Sequence, residues 1–170
     1  MTETVPGFDD LLGAAQRIAL HLEMRDTYAG GSPAFAAWRT GRPYDRSAPD
    51  ARWRSLVAPL AARGVQLRRA RIVSEPVSDY IRFEYEVTAV ANLAAGEQVR
   101  WLPRRRASDL ALPGNDFWLI DDRVLFNHFT GDGDWIDVEL VTDASIVKFC
   151  ASAFESVWDR GVDHERYRPA

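Results

Sequence analysis

Apolar residues at Leu11, Ala15, Ile18 and Leu22 recur at intervals of three and four, which lines them along one face of an α-helix. The stretch from Phe8 through Met24 is therefore predicted to be helical. The glycine-rich run from Tyr28 to Pro33 ends it. A short helical piece around Ala34 to Trp38 follows and is closed by Gly41-Arg42-Pro43. Asp50 then caps a third helix, Ala51 to Arg63, whose Trp53, Leu56, Val57 and Leu60 share one side; Pro59 should kink or shorten it, and Gly64 stops it.

At Val65 the period changes. Val65 to Val73 is short, rich in arginine and β-branched residues and bounded by Gly64 and Ser74-Glu75-Pro76, as a strand would be. Pro76 is expected to begin a helix from Val77 to about Ala94. Tyr80, Phe83, Val87, Val90, Ala91 and Ala94 form its apolar side, Glu84, Thr88 and Asn92 a polar row at four-residue steps, and Gly96 its end. Three or four strands follow, at Gln98 to Leu102, Phe117 to Asp121, Arg123 to Phe129 and Trp135 to Val141. Asp143 opens a last helix with Ile146, Phe149, Cys150, Ala153 and Val157 on one stripe and Gly161 at its end. The polar tail beyond is expected to fray. This order describes an α+β fold in which N-terminal helices (1–64) pack on a mixed β-sheet core (65–170) of strand, helix, strands and helix, within one domain.

Composition narrows the classes. With 46% hydrophobic and 27% charged residues, a chain of 170 residues can bury a core and is not of the disordered type. A net charge of -4 argues against holding nucleic acid by bulk electrostatics. Lys148 is the one lysine among 21 basic residues, a bias typical of GC-rich coding, so clustered arginines carry less functional weight than usual. Cys150 alone provides neither a disulfide nor a multi-cysteine zinc site, and its place on an apolar stripe makes it core. No apolar run is long enough to span a membrane, and MTETVPGFDD lacks the basic and apolar regions of a signal peptide. The expected location is cytoplasmic, without membrane contact.

The stretch LFNHFTGDGDW (Leu125 to Trp135) holds the most suggestive histidine. Along Arg123 to Phe129, Val124, Phe126 and His128 share one face and Leu125, Asn127 and Phe129 the other, so the strand is expected to be central and covered on both sides. A phospholipase D-type His-x-Lys-x4-Asp motif needs a lysine two residues after the histidine. Thr130 follows His128 there, Glu23 follows His21 and Arg166 follows His164, so that chemistry is excluded. His128, Asp132 and Asp134 offer metal-ligand types, but Thr130 to Asp134 has the composition of an ordinary hairpin turn, and a calcium loop fails because Ile136 and Asp137 stand at the required ligand and glycine positions. G-x-S-x-G, G-x-G-x-x-G and G-x-x-x-x-G-K motifs are missing, so no cofactor and no metal is expected. Arg100, Arg104, Arg105 and Arg106 have the chemistry to bind an anion, or form a solvated edge, while Trp101 has the face to stack a ring. A polar pocket of Glu84, Asn92, Arg100, Asn127 and His128 is the sharpest site these positions suggest.

The segments SEPVSDYIRFE, AGEQVRWLPRR, LPGNDFWLIDDRVLFNHFTGDGD and AFESVWDRGVDHERYRP resemble an actinobacterial, Streptomyces-type family often encoded near helix-turn-helix regulators. The resemblance implies a fold similar to half of a phospholipase D-like domain without its catalytic motif, and a role as a sensor or interaction module. The expectation is thus a non-catalytic cytoplasmic regulatory module that binds a small ligand or a partner helix-turn-helix regulator. Glu84, Asn92, Arg100, Trp101, Arg104, Asn127 and His128 would be its binding residues. The alternative is an enzyme acting on a phosphorylated or carboxylated small molecule, with His128 or Glu84 as general base and Arg100 and Arg104 holding the anion.

Overall fold

The computed structural model describes residues 7–28 and 32–170. In chain order the elements are α1 (Phe8–Gly13), β1 (Ile18–Glu23), α2 (Pro33–Arg39), α3 (Ser47–Ala62), β2 (Gln66–Val73), α4 (Asp79–Ala91), β3 (Gln98–Pro103), β4 (Phe117–Ile120), β5 (Arg123–Phe129), β6 (Trp135–Val141), α5 (Ala144–Arg160) and β7 (Val162–Asp163). The strands form one mixed sheet in the order β6-β5-β4-β1-β2-β3-β7. Strands β1, β2 and β3 are parallel neighbours; β4, β5, β6 and β7 each join antiparallel. The fold is α+β, as its pattern predicts.

The main departure lies at the N-terminus. The helix expected from Phe8 to Met24 is a six-residue helix followed by a central strand. Leu20 and Leu22 point to one face of the sheet and Ala19 to the other, because a strand covered on both sides carries apolar residues at consecutive positions. Asp121 fixes the link between α1 and β1. Its carboxylate accepts the backbone N–H groups of Gln16 and Arg17, each at 2.9 Å, and of Ile18 at 3.1 Å, from a tight turn where its own φ is 52°.

Side-chain caps explain the starts of α4 and α5. Ser78, not Pro76, begins α4, its hydroxyl accepting from the Ile81 N–H at 3.2 Å. Asp143 caps α5 as expected, accepting from Ser145 and Ile146. Asp50 lies inside α3 rather than at its cap, and Pro59 is accommodated within the same helix.

The two faces of the sheet differ. Helix α5 covers one with an apolar layer in which Phe154, Cys150 and Val157 meet Leu20, Ile72, Leu102 and Phe117. Helices α1 and α3 cover half of the other, against Ala19, Leu67, Trp118 and Leu125. Helix α4 covers the rest, where β1 and β2 present Glu23, Arg69 and Arg71.

The tail does not fray. β7 pairs with β3, His164 and Tyr167 are buried, and the Trp101 Nε1–H donates to His164 Nδ1 at 3.1 Å. β5 is less covered than its sequence suggests, since only Val124 and Leu125 are buried and Phe126 to Phe129 are half-buried. No helix among the described residues is long and apolar enough to cross a membrane.

Candidate functional site: a buried ion ledge and the crevice above it

Alternation along β2 sends Arg69 and Arg71 to the same face as Glu23 on β1, so two guanidiniums lie under α4. The Arg69 Nε–H donates to Glu97 Oε1 at 2.6 Å, and another of its N–H groups donates to Glu23. Arg71 donates to Glu23 Oε2 at 2.5 Å, to Thr88 Oγ1 at 2.6 Å and to Glu84 Oε2 at 3.0 Å, and its guanidinium lies 4.8 Å from the Trp101 ring centroid. Asn92 Nδ2 donates to Glu97 Oε2 at 2.6 Å. The row Glu84, Thr88 and Asn92 thus faces the sheet at helical spacing: Glu84 and Thr88 meet Arg71 directly, and Asn92 reaches Arg69 through Glu97.

Such a buried network persists because each charge meets an opposite one. Burial works against the charged form of Glu23, but the guanidiniums of Arg71 and Arg69 overcome it and hold this carboxyl well below the usual range. Burial likewise opposes the charge of Arg69, and Glu97 and Glu23 more than restore it. His21 stacks on Trp118 at a centroid distance of 4.2 Å, and burial, followed by the charge of Arg69, keeps its imidazole neutral. Three carboxylates (Glu23, Glu84, Glu97) therefore face two guanidiniums, leaving an excess of one negative charge.

The ledge opens toward the carboxyl ends of the parallel strands, where crevices of open α/β sheets form. Met24 to Tyr28 leave β1 there, Ser74 leaves β2, Arg104 leaves β3, and Asp116 enters the antiparallel β4 at the same edge. Asp116 accepts the Met24 N–H at 2.9 Å and the Tyr28 hydroxyl. Burial pushes the Asp116 carboxyl up to about 6 despite the Tyr28 hydrogen bond, and the nearby Glu23 charge adds to the rise. Beside it, the Arg25 guanidinium lies 5.1 Å from the Phe129 ring centroid, and its Nε finds no partner among the described residues. Asp26 accepts from the Ser74 N–H and hydroxyl at 2.7 Å, and Arg104 ties this loop down by donating to Met24 O at 2.5 Å and Ser74 Oγ at 3.0 Å.

The residues proposed from sequence divide among several places. Glu84 and Asn92 are in the ledge. Arg104 belongs to the crevice, as a strap on its loop. Asn127 lies on the same face, two strands from Glu23.

Arg100 and His128 do not join them. Arg100 projects from the opposite face, where it donates to Asp163 Oδ1 at 2.7 Å and Trp158 O at 2.9 Å. His128 also projects there, a third exposed, with Nδ1 2.7 Å from Asp137 and Nε2 3.5 Å from Glu139. The pocket drawn from Glu84, Asn92, Arg100, Asn127 and His128 is therefore not assembled, because its members stand on both sides of one sheet. Trp101 is fully buried and stacks on Tyr167 at 5.5 Å, so its ring has no free face for a ligand. Arg105 and Arg106 are exposed. Among the described residues, no three His, Cys, Asp or Glu side chains are grouped to hold a metal ion.

Sequence reasoning missed Arg69, Arg71, Glu23, Tyr28 and Asp116. The available signal was the pair of arginines at alternate positions of a strand otherwise buried, since such residues need partners on the covering helix.

The chain belongs to the DUF6879 family, a domain of unknown function, whose profile matches residues 6–169. Among solved structures it is similar to Nuc, a phospholipase D family member from Salmonella typhimurium, with 12% identity and a TM-score of 0.51 over 94% of this chain and 88% of that one. It also matches TrmBL2, an archaeal chromatin protein described as showing a novel mode of DNA binding, with 12% identity and a TM-score of 0.49; the match covers 90% of this chain but only 47% of that one. No curated protein matches the sequence significantly.

Proposed function

We propose that this domain is a non-catalytic regulatory module that binds a small ligand or a partner regulator on the α3/α4 side of the sheet, at the carboxyl edge of β1 to β3. The observation that carries this reading is the closure of the ion ledge. Glu84, one of the two general bases the sequence offered beside His128, is held by Arg71 at 3.0 Å, and both buried arginines are paired with carboxylates. Groups so paired support a crevice but are poorly placed to exchange protons with a substrate. A phospholipase D-like fold without its histidine and lysine motif is consistent with this use, although fold alone does not determine function.

The test is a native mass spectrum of gently purified protein. A retained small molecule, or a co-purifying helix-turn-helix protein, supports the module. Protein that carries neither, yet converts a phosphorylated or carboxylated compound, contradicts it.

One observation favours the enzyme alternative in a changed form. A carboxyl pushed up to about 6 can accept and return a proton near neutral pH, so Asp116 rather than His128 or Glu84 would be the acid-base group. Asp116→Asn separates the two readings, since it removes proton transfer while keeping the shape that binding requires.

A further inference from the structure

We infer that a cavity of about 270 Å³ on the same sheet face, walled by Phe8, Trp118, Leu125, Trp135 and Val138 with Asn127 as its one polar lining residue, binds a planar heteroaromatic ring of the nucleobase class. This deepens the ligand-module reading by naming the ligand, and it rests on that reading only for the existence of one.

Size limits the occupant. The cavity lies just under the roughly 300–1,000 Å³ usual for small-molecule sites, which suits one ring system rather than an extended cofactor. Phe8 packs on Trp118 at 5.3 Å with a tilt of 59° and His21 stacks on the same indole, so these two rings form an apolar wall and Trp135 is the ring left for stacking. Trp135 is 59% exposed, so an indole at the rim keeps surface that a stacked ring would cover.

Asn127 decides the ring's chemistry. It is half-buried in the lining, and its amide carries donors and an acceptor side by side. Nucleobase edges present the complementary donor and acceptor pair, which a plain aromatic hydrocarbon lacks. The cavity also adjoins the crevice. The Asn127 N–H donates to Asp116 O at 2.8 Å, and Phe129, two residues farther along the same face, lies beneath the Arg25 guanidinium.

The experiment is titration of the full chain with adenosine, guanosine, cytidine and uridine, followed by ligand-observed NMR and calorimetry, for the wild type, Trp135→Ala and Asn127→Leu. Saturable binding of at least one nucleoside is expected, weakened by about tenfold or more in each variant while circular dichroism stays unchanged. Trp135 is largely exposed, so its replacement should leave the fold intact, and Asn127→Leu supplies a second variant of similar volume. No saturable binding of any of the four at millimolar concentration, or binding that either variant retains, overturns the assignment. Failure here is distinguishable from failure of the module reading. Conversion of a bound nucleoside would overturn the non-catalytic reading and leave the cavity assignment standing, whereas a co-purified regulator with no nucleoside binding would do the reverse.

Discussion

One sheet carries two differently built faces. Under α5 the contacts are apolar: Phe154, Cys150 and Val157 press on Leu20, Ile72 and Leu102, and stability there comes from removing hydrocarbon from water and filling space. Under α4, one strand position away in the same β2, Arg69 and Arg71 replace hydrocarbon with charges that must be paired. Space-filling tolerates conditions, while a paired network depends on every partner and on pH. A protein that needed only a fold would gain little from the second arrangement, since apolar replacements of buried ion networks are often neutral or stabilising. The ionic face, with the crevice and the aromatic cavity beside it, is therefore where function is expected.

The largest effects should come from breaking each face separately. Arg71→Met leaves Glu23 and Glu84 without a shared partner and should cost about 3–5 kcal/mol in urea unfolding. Phe154→Ala should cost a similar amount, about 3–5 kcal/mol, by opening a cavity. The two should differ in pH response: the Arg71→Met cost should shrink as pH falls toward the ordinary carboxylate range and Glu23, without the charge that most lowers it, takes up a proton, and the Phe154→Ala cost should stay level. Equal pH profiles would remove the distinction between the faces.

Asp116→Asn should show a smaller effect of definite sign. Because the folded state raises the Asp116 carboxyl from 3.8 to about 6, its favourable contribution is complete below about pH 4 and is lost as pH rises through about 6. That shift corresponds to about 2–3 kcal/mol. The wild type should therefore lose stability relative to Asp116→Asn between pH 4 and 7, measured as the difference in unfolding midpoint; parallel curves would show that Asp116 is not shifted. The smallest effect is expected at His128→Ala. Its pairs with Asp137 and Glu139 are exposed, and stability should change by about 0.5 kcal/mol or less.

Much of the framework is legible in the sequence. The β-branched content and turn boundaries of Val65 to Val73, the later strands set off by turn residues, and the Asp143 cap all correspond to observed elements, because each is decided by local composition or turn chemistry. Ile18 to Glu23 misled the periodicity, since a strand apolar on both faces also satisfies intervals of three and four when a short helix precedes it.

The site was harder to read because it depends on strand order. Nothing local shows that β1 lies between β4 and β2, so Glu23 and Arg71 could not be paired from sequence. Alternation did separate Asn127 from His128, and that separation is observed. A pocket containing both was incompatible with it. Discounting arginines as compositional bias also hid Arg69 and Arg71, the two whose burial demanded partners.

The central claim is that the ionic face binds without transforming what it binds. The most direct measurement is to incubate the wild type and Asp116→Asn with a small-molecule cell extract and follow both the bound fraction and the whole pool by mass spectrometry. The account expects one compound enriched on both proteins and no compound consumed. A compound consumed by the wild type and spared by Asp116→Asn would contradict it.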